Sequence, residues 1–273
     1  MNQEINYQKI LANLTSEQPF DRKEHQKQAV LREMNSFNET PGNKTHCKRC
    51  KGKGYIMGVI RKFDSYYTIV KECDCMANIK ACREVKNSGM AQLLNYSFNN
   101  YKVKSNWQAD IKRRAMANAN TKDWFFIGGQ SGSGKTHICC AIANYQRRKG
   151  VRVKYIVWTD TINKLKDFED DSYMSELKKV ECLYIDDLFK KIGTKYNDGL
   201  TSSDITKTWE LINYRNLNNL KTIISSEMTL IDILNVDESL GSRIKQSAKN
   251  YIVTVPGDVR KNMRINQMSF MDN

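Results

Sequence analysis

The chain has 273 residues, with 44 Lys+Arg against 30 Asp+Glu, a formal net charge of +14 and a pI near 9.3. That length allows one large domain with an appendage, or two domains, and the cationic excess fits a polyanionic partner, DNA or RNA, as well as general solubility. No stretch reaches the ~20 apolar residues of a membrane span and residues 1–10 lack a signal-peptide core, so a cytoplasmic protein without membrane contact is expected, its eight cysteines being reduced thiols or metal ligands.

Residues 1–43 read as two helical stretches broken at Gln18-Pro19. Ile5, Ile10, Leu11 and Leu14 make an apolar stripe in the first. In the second, Asp21 is an N-cap with Glu24 three residues on, a capping-box arrangement, and Ala29, Val30, Met34 and Phe37 recur at helical spacing. So few apolar residues make a thin core, which leaves these faces for one another or for a partner surface.

Cys47-Lys-Arg-Cys50 follows, then Gly52 and Gly54, and after a hairpin-sized insert Cys73-Asp-Cys75. Two close cysteine pairs around such an insert are a zinc-site pattern. The insert is rich in β-formers over 55–61 and 66–71, with Phe63-Asp64-Ser65 as its turn. The glycines let the backbone fold back so that amides approach the thiolates. A closed structural Cys₄ knuckle of Cys47, Cys50, Cys73 and Cys75 is expected, with Cys82 or His46 as substitutes because the second pair is tight. Cys82, Cys139, Cys140 and Cys182 otherwise read as small core residues. A connecting helix over 78–87 ends at a linker, Asn87-Ser88-Gly89, giving an N-terminal domain 1–88 and a second domain 89–273.

From Trp107, Ile111 and Ala115 onward the pattern alternates between helix and strand, the mark of a parallel sheet with helical crossovers. Strands are predicted at 124–127, 153–158, 182–186, 222–226 and 251–255, and helices at 137–149, 159–168, 203–216 and 240–248. Between the first strand and its helix lies 129–136, GQSGSGKT, which fits the phosphate-loop pattern G-x-x-x-x-G-K-[ST]. Gly129, Ser131, Gly132, Ser133 and Gly134 supply a turn whose amides cradle phosphate oxygens, Lys135 adds charge, and Thr136 is a Mg²⁺ ligand ahead of His137. The third strand ends in Asp186-Asp187. Behind a phosphate loop, the first carboxylate holds Mg²⁺ and the second polarises the attacking water.

GQSGSGKTH, LYIDDL, TIISSE and LGSRIKQ, in that order, resemble the AAA+ ATPases that load the replicative DNA helicase, the DnaC- and DnaI-like family. The likeness covers roughly residues 90–264, and Asn95-Tyr-Ser-Phe98-Asn-Asn resembles the family's approach to its ATPase domain. A cysteine knuckle behind helices is similar to the DnaI-like branch, phage versions included. The resemblance implies an α/β P-loop ATPase with a five-stranded parallel sheet and little C-terminal lid, using ATP, Mg²⁺ and Zn²⁺. It implies a ring helicase docked on the N-terminal domain, single-stranded DNA as substrate, and self-association through the ATPase domain. Ser226 or Glu227 is then the γ-phosphate sensor; relatives commonly carry Asn at the Glu227 position, and since ionised glutamate cannot donate, Ser226 is the expected donor. Arg243 matches an arginine finger reaching a neighbour's site, and Arg260 resembles a second sensor. Arg215 follows a helix in both this family and the transposition helpers, open to solvent or to a subunit boundary, and is assigned no role. Lys190-Lys191 beside Phe189 offer charge and an aromatic ring for a single-strand groove. An IstB-type transposition helper and a non-hydrolysing zinc and nucleotide adaptor are the alternatives.

Overall fold

The computed structural model describes residues 21–43, 47–87, 91–167, 172–190 and 199–268. The stripe at Ile5 to Leu14, His46, Ser88-Gly89 and Lys191 lie outside them. Backbone contacts divide the chain into two compact units, residues 1–76 and 77–273. Among the described residues no helix is long and apolar enough to cross a membrane.

In the first unit, α1 (Arg22–Glu39) begins at Asp21, whose carboxylate accepts from Lys23 N at 2.8 Å and Glu24 N at 3.3 Å. Glu24 does not complete the predicted box: its carboxylate accepts from Lys27 and Gln28 instead. Strands β1 (Tyr55–Lys62) and β2 (Ser65–Glu72) pair antiparallel from Tyr55↔Glu72 to Lys62↔Ser65, so the turn is Phe63-Asp64, with Phe63 at φ 51°. Asn38 joins helix to hairpin, exchanging hydrogen bonds with Met57 N and O. Lys53 Nζ donates to the carbonyls of Phe37 and Asn38 at the helix end, where a cation complements the dipole. No residue of α1 is fully buried, so the core is as thin as its sequence predicts. Helix α2 (Asp74–Asn87) starts inside the second cysteine pair, earlier than predicted, and crosses the division between the units.

The second unit is an α/β fold around five parallel strands: β3 (Phe125–Gly129), β4 (Val153–Val157), β5 (Cys182–Asp186), β6 (Lys221–Ser226) and β7 (Ile252–Val255), in the order β4-β5-β6-β3-β7, the parallel sheet expected from the sequence. Strand alternation splits the apolar side chains into two cores. Phe126, Leu183, Ile185 and Ile224 join one; Phe125, Ile127, Tyr184 and Ile223 join the other. The second core is closed by α3 (Asn106–Asn118), through Ile111 and Ala115, and by α4 (Lys135–Arg148), through Ile138 and Ile142. On the first lie α5 (Trp158–Asp167), α6 (Ser172–Lys179), α7 (Ser202–Leu217), α8 (Leu230–Val236) and α9 (Glu238–Ala248). Cys139, Cys140 and Cys182 are buried core residues, as predicted. Sequence periodicity missed α6 and α8, both too short to show a stripe, although Thr229 and Asp232 form a complete capping box ahead of α8. Beyond β7 the described residues hold a single 3₁₀ turn, Val259–Lys261, and α10 (Met263–Met268).

Candidate nucleotide site and cysteine cluster

The phosphate loop leaves β3 at the carboxyl edge of the sheet and enters α4. Two of its glycines are required by the fold itself. Gly129 sits at φ +111°, and a Cβ there would lie 2.0 Å from the Val255 carbonyl on β7; Gly134, at φ +86°, would press one on the Met263 methyl at 2.7 Å. Lys135 Nζ donates to Gly129 O and Gln130 O, both at 2.8 Å, and burial pulls its pKa below the usual lysine value. The buried Ser133 hydroxyl has no partner within the protein. An orphaned donor in a loop of amides headed by a helix N-terminus suits a bound polyphosphate.

Asp186 Oδ1 accepts from Thr136 Oγ1 at 3.2 Å, from Tyr184 OH at 2.7 Å, and from the Ser225 hydroxyl. Burial nonetheless holds its carboxyl above the ordinary aspartate range, with those hydroxyls opposing the shift. A carboxylate beside the loop threonine is the donor set that a hard divalent cation takes. Asp187 adopts φ +55°, and its N–H donates to Ser225 Oγ at 3.3 Å. Its carboxylate faces a cavity of about 230 Å³ shared with Ser131, Gly132, Gly134, Lys135 and Thr136. Glu227, Lys190, Met263, Arg264, Tyr96 and His137 complete the lining of this cavity. His137 stacks on Tyr96 with centroids 4.3 Å apart, its Nε2 lies 2.9 Å from Asn100 Oδ1, and burial lowers its pKa. Asn144 Nδ2 donates to Leu93 O and Tyr96 O, so the approach segment is tied to α4.

Several predicted roles need correction. Ser226 is fully buried, its hydroxyl donating to Leu188 O at 2.6 Å and accepting from Met228 N at 3.0 Å; it has no donor left for phosphate. Alternation along β6 turns Ser225, its neighbour, toward both aspartates, and sets Glu227 beyond the strand end. Arg260 is 90% exposed and held by Asp258 at 3.0 Å; the arginine at the cavity is Arg264, brought there by Met263 N–H donating to Gly132 O at 2.9 Å. Arg243, whose expected role is at a neighbour's site and not at this one, is not among the residues lining this cavity; its Nε donates to Asn213 Oδ1 at 2.7 Å and its guanidinium lies over Trp209. Arg215, to which the sequence assigned no role, is fully buried and donates to the Leu177, Val180 and Lys221 carbonyls. Phe189 is fully buried edge-on to Trp158 and offers no face to a base.

In the first unit the sulfurs of Cys47, Cys50, Cys73 and Cys75 lie within 4.8 Å of one another. The Cys47–Cys73 and Cys50–Cys75 separations, 3.9 and 3.6 Å, bracket the ~3.8 Å expected between sulfurs about 2.3 Å from a tetrahedral zinc. Gly54 N–H donates to Cys50 Sγ at 3.3 Å, the outer-shell contact the glycines predicted. Cys82 is outside this group among the described residues.

The model of the bacterial DnaA ATPase domain matches residues 94–249, more than half of the chain and all of the loop, carboxylate and Arg243 motifs. The chain belongs to this ATPase family. Two Bacillus subtilis proteins are related to it. The uncharacterized protein YqaM is 32% identical over 205 residues, 70% of this chain and 65% of YqaM. The phage-like element PBSX protein XkdC is 29% identical over 239 residues, 80% of this chain and 85% of XkdC. The chain thus spans less than two thirds of YqaM. The crystal structure of the DnaC helicase loader shares the fold, with a TM-score of 0.50 and 19% identity over 61% of this chain and 99% of that one.

Proposed function

We propose that the chain is an ATP-dependent loader that delivers a replicative ring helicase onto single-stranded DNA. The observation that carries this is a complete phosphate cradle with Thr136, Asp186 and Asp187 at its mouth, on a fold shared with a helicase loader. In this reading Gly129, Ser131, Gly132, Ser133, Gly134 and Lys135 hold the phosphates of ATP, and His137 with Tyr96 walls the site. Thr136 and Asp186 hold Mg²⁺, which when bound neutralises charge on the phosphate oxygens. Asp187 takes the proton of the water that attacks the γ-phosphorus as the bond to the β-phosphate oxygen breaks, giving ADP and phosphate. Arg264 rather than Arg260 senses the nucleotide in its own subunit, and Arg243 reaches a neighbour's site once subunits assemble. Hydrolysis then acts as a switch rather than a turnover engine.

Cys47, Cys50, Cys73 and Cys75 hold one zinc that shapes the first unit, and residues 1–88 dock the helicase while the basic ATPase domain grips DNA. Metal analysis should return one zinc per chain, lost on Cys50→Ser; a metal-free protein with its α1 and hairpin intact would reject the knuckle. The functional test is capture of the host's ring helicase on closed circular single-stranded DNA. ATP-dependent capture that requires this protein supports loading. Capture of a transposase on duplex DNA, with no helicase retained, would assign the chain to the transposition-helper reading.

A further inference from the structure

Lys190 stands on the rim of the phosphate cradle, outside the phosphate loop. Its Nζ donates to Asp187 Oδ2 at 2.7 Å, and both side chains line the cavity with Lys135 and Glu227. The pair closes on a short turn in which Lys190 N–H donates to Asp187 O at 3.0 Å. Asp187 is held at a left-handed φ of +55° by its own N–H on Ser225 Oγ and by Leu188 N–H on Ser225 O. The backbone therefore fixes the position of Asp187, while the lysine ammonium sits at the end of a flexible four-carbon stem. Side-chain exposures of 44% for Lys190 and 24% for Asp187 make the ion pair a weak one that a stronger anion can displace.

A carboxylate already carrying an ammonium donor is a poor acceptor for a proton from water. A terminal phosphate carries nearly two negative charges against one on Asp187, so at equal separation it attracts the ammonium about twice as strongly. In a phosphate loop the backbone amides and the loop lysine cradle the β- and γ-phosphates, and the third phosphate lies in addition beside the carboxylates that end the neighbouring strand, where Lys190 rests. We propose that Lys190 is the cation that distinguishes ATP from ADP: it rests on Asp187 until a third phosphate is present, then moves onto that phosphate and leaves Asp187 free to take the proton of the attacking water. This rests on the ATP reading of the cradle and gives a specific residue the task of coupling nucleotide state to catalysis.

The test compares affinities of the full-length protein for Mg²⁺ with a non-hydrolysable ATP analogue and for Mg²⁺ with ADP. Losing one charge-assisted contact, Lys190→Met should weaken the analogue about tenfold and leave ADP unchanged, whereas Lys190→Arg keeps the preference. Asp187→Asn removes the resting partner, so analogue affinity should rise severalfold, and this gain should vanish in the Lys190→Met, Asp187→Asn double variant. Equal losses for both nucleotides in Lys190→Met, or an unchanged ratio, overturn the role of Lys190 while the ATP reading stands. A wild-type protein that binds neither nucleotide overturns both.

Discussion

At the amino ends of the strands Arg215 donates to the Leu177, Lys178, Val180 and Lys221 carbonyls and to the Thr222 hydroxyl, and Lys221 donates to Asn118, Thr121 and the Asp123 carbonyl. Both cations are buried, and burial pulls their pKa values down, to about 10 for Arg215 and about 8 for Lys221. At the carboxyl ends Lys135 is buried and Asp186 half-buried, but there Lys190, Asp187, Glu227 and Arg264 face a cavity and the Ser133 hydroxyl has no partner. One sheet thus handles charge in two ways. Cations saturated by fixed backbone carbonyls fasten the fold, whereas groups left facing a cavity are set for a ligand.

The largest effect that separates the two ends is expected from Arg215→Met. It strands several buried carbonyls, so chemical denaturation should show a loss of about 3–5 kcal/mol while ATP affinity of the remaining folded protein is unchanged. A stability loss below measurement would show that the amino-end clamp does not hold the fold.

The next effect is a pH slope. Lys221 titrates near 8 in the folded chain and at its ordinary 10.5 when unfolded. Below pH 8 it is charged in both states and its burial cost is fully present. Between pH 8 and 10.5 the unfolded state binds more protons, so this group makes stability rise with pH, by as much as ~3 kcal/mol. Comparing wild type with Lys221→Met between pH 7.5 and 10 isolates the slope; parallel curves would contradict it.

The smallest effect has the opposite sign. Asp186→Asn removes a half-buried charge whose carboxyl is raised above its ordinary range, while the amide oxygen can still accept from Thr136, Tyr184 and Ser225. Stability at pH 7 should hold or rise by up to about 1 kcal/mol while Mg²⁺-dependent hydrolysis is lost, the signature of a site kept for function at some cost to the fold. A marked stability loss would make Asp186 a structural residue like Arg215.

Local patterns carried the parts of this molecule that were readable in advance. The phosphate loop, the 182–186 strand ending in Asp186-Asp187, and the paired cysteines each lie within a few consecutive residues, and the apolar strands of a doubly covered sheet stand out from their helices. What was missed depends on register and on return of the chain. Ser225 and Ser226 are neighbours in sequence, and only the alternation of β6 decides which meets the aspartates. Arg264 reaches the cavity because the backbone after β7 folds back onto Gly132, a contact that no spacing encodes. Arg215 could not be placed from sequence because its partners are carbonyls from α6, from Val180 and from the start of β6, invisible to a side-chain pattern.

The carboxyl edge as a nucleotide site is tested most directly by Lys135→Ala, with Mg²⁺·ATP affinity and thermal midpoint measured on the same preparations. Lys135 lines the cavity, and its Nζ donates to the loop carbonyls of Gly129 and Gln130. Affinity should fall at least about tenfold with the midpoint nearly unchanged, since one charge-assisted contact to phosphate is lost and no packed core group is disturbed. An unchanged affinity, or a midpoint that falls in step with affinity, would contradict the account.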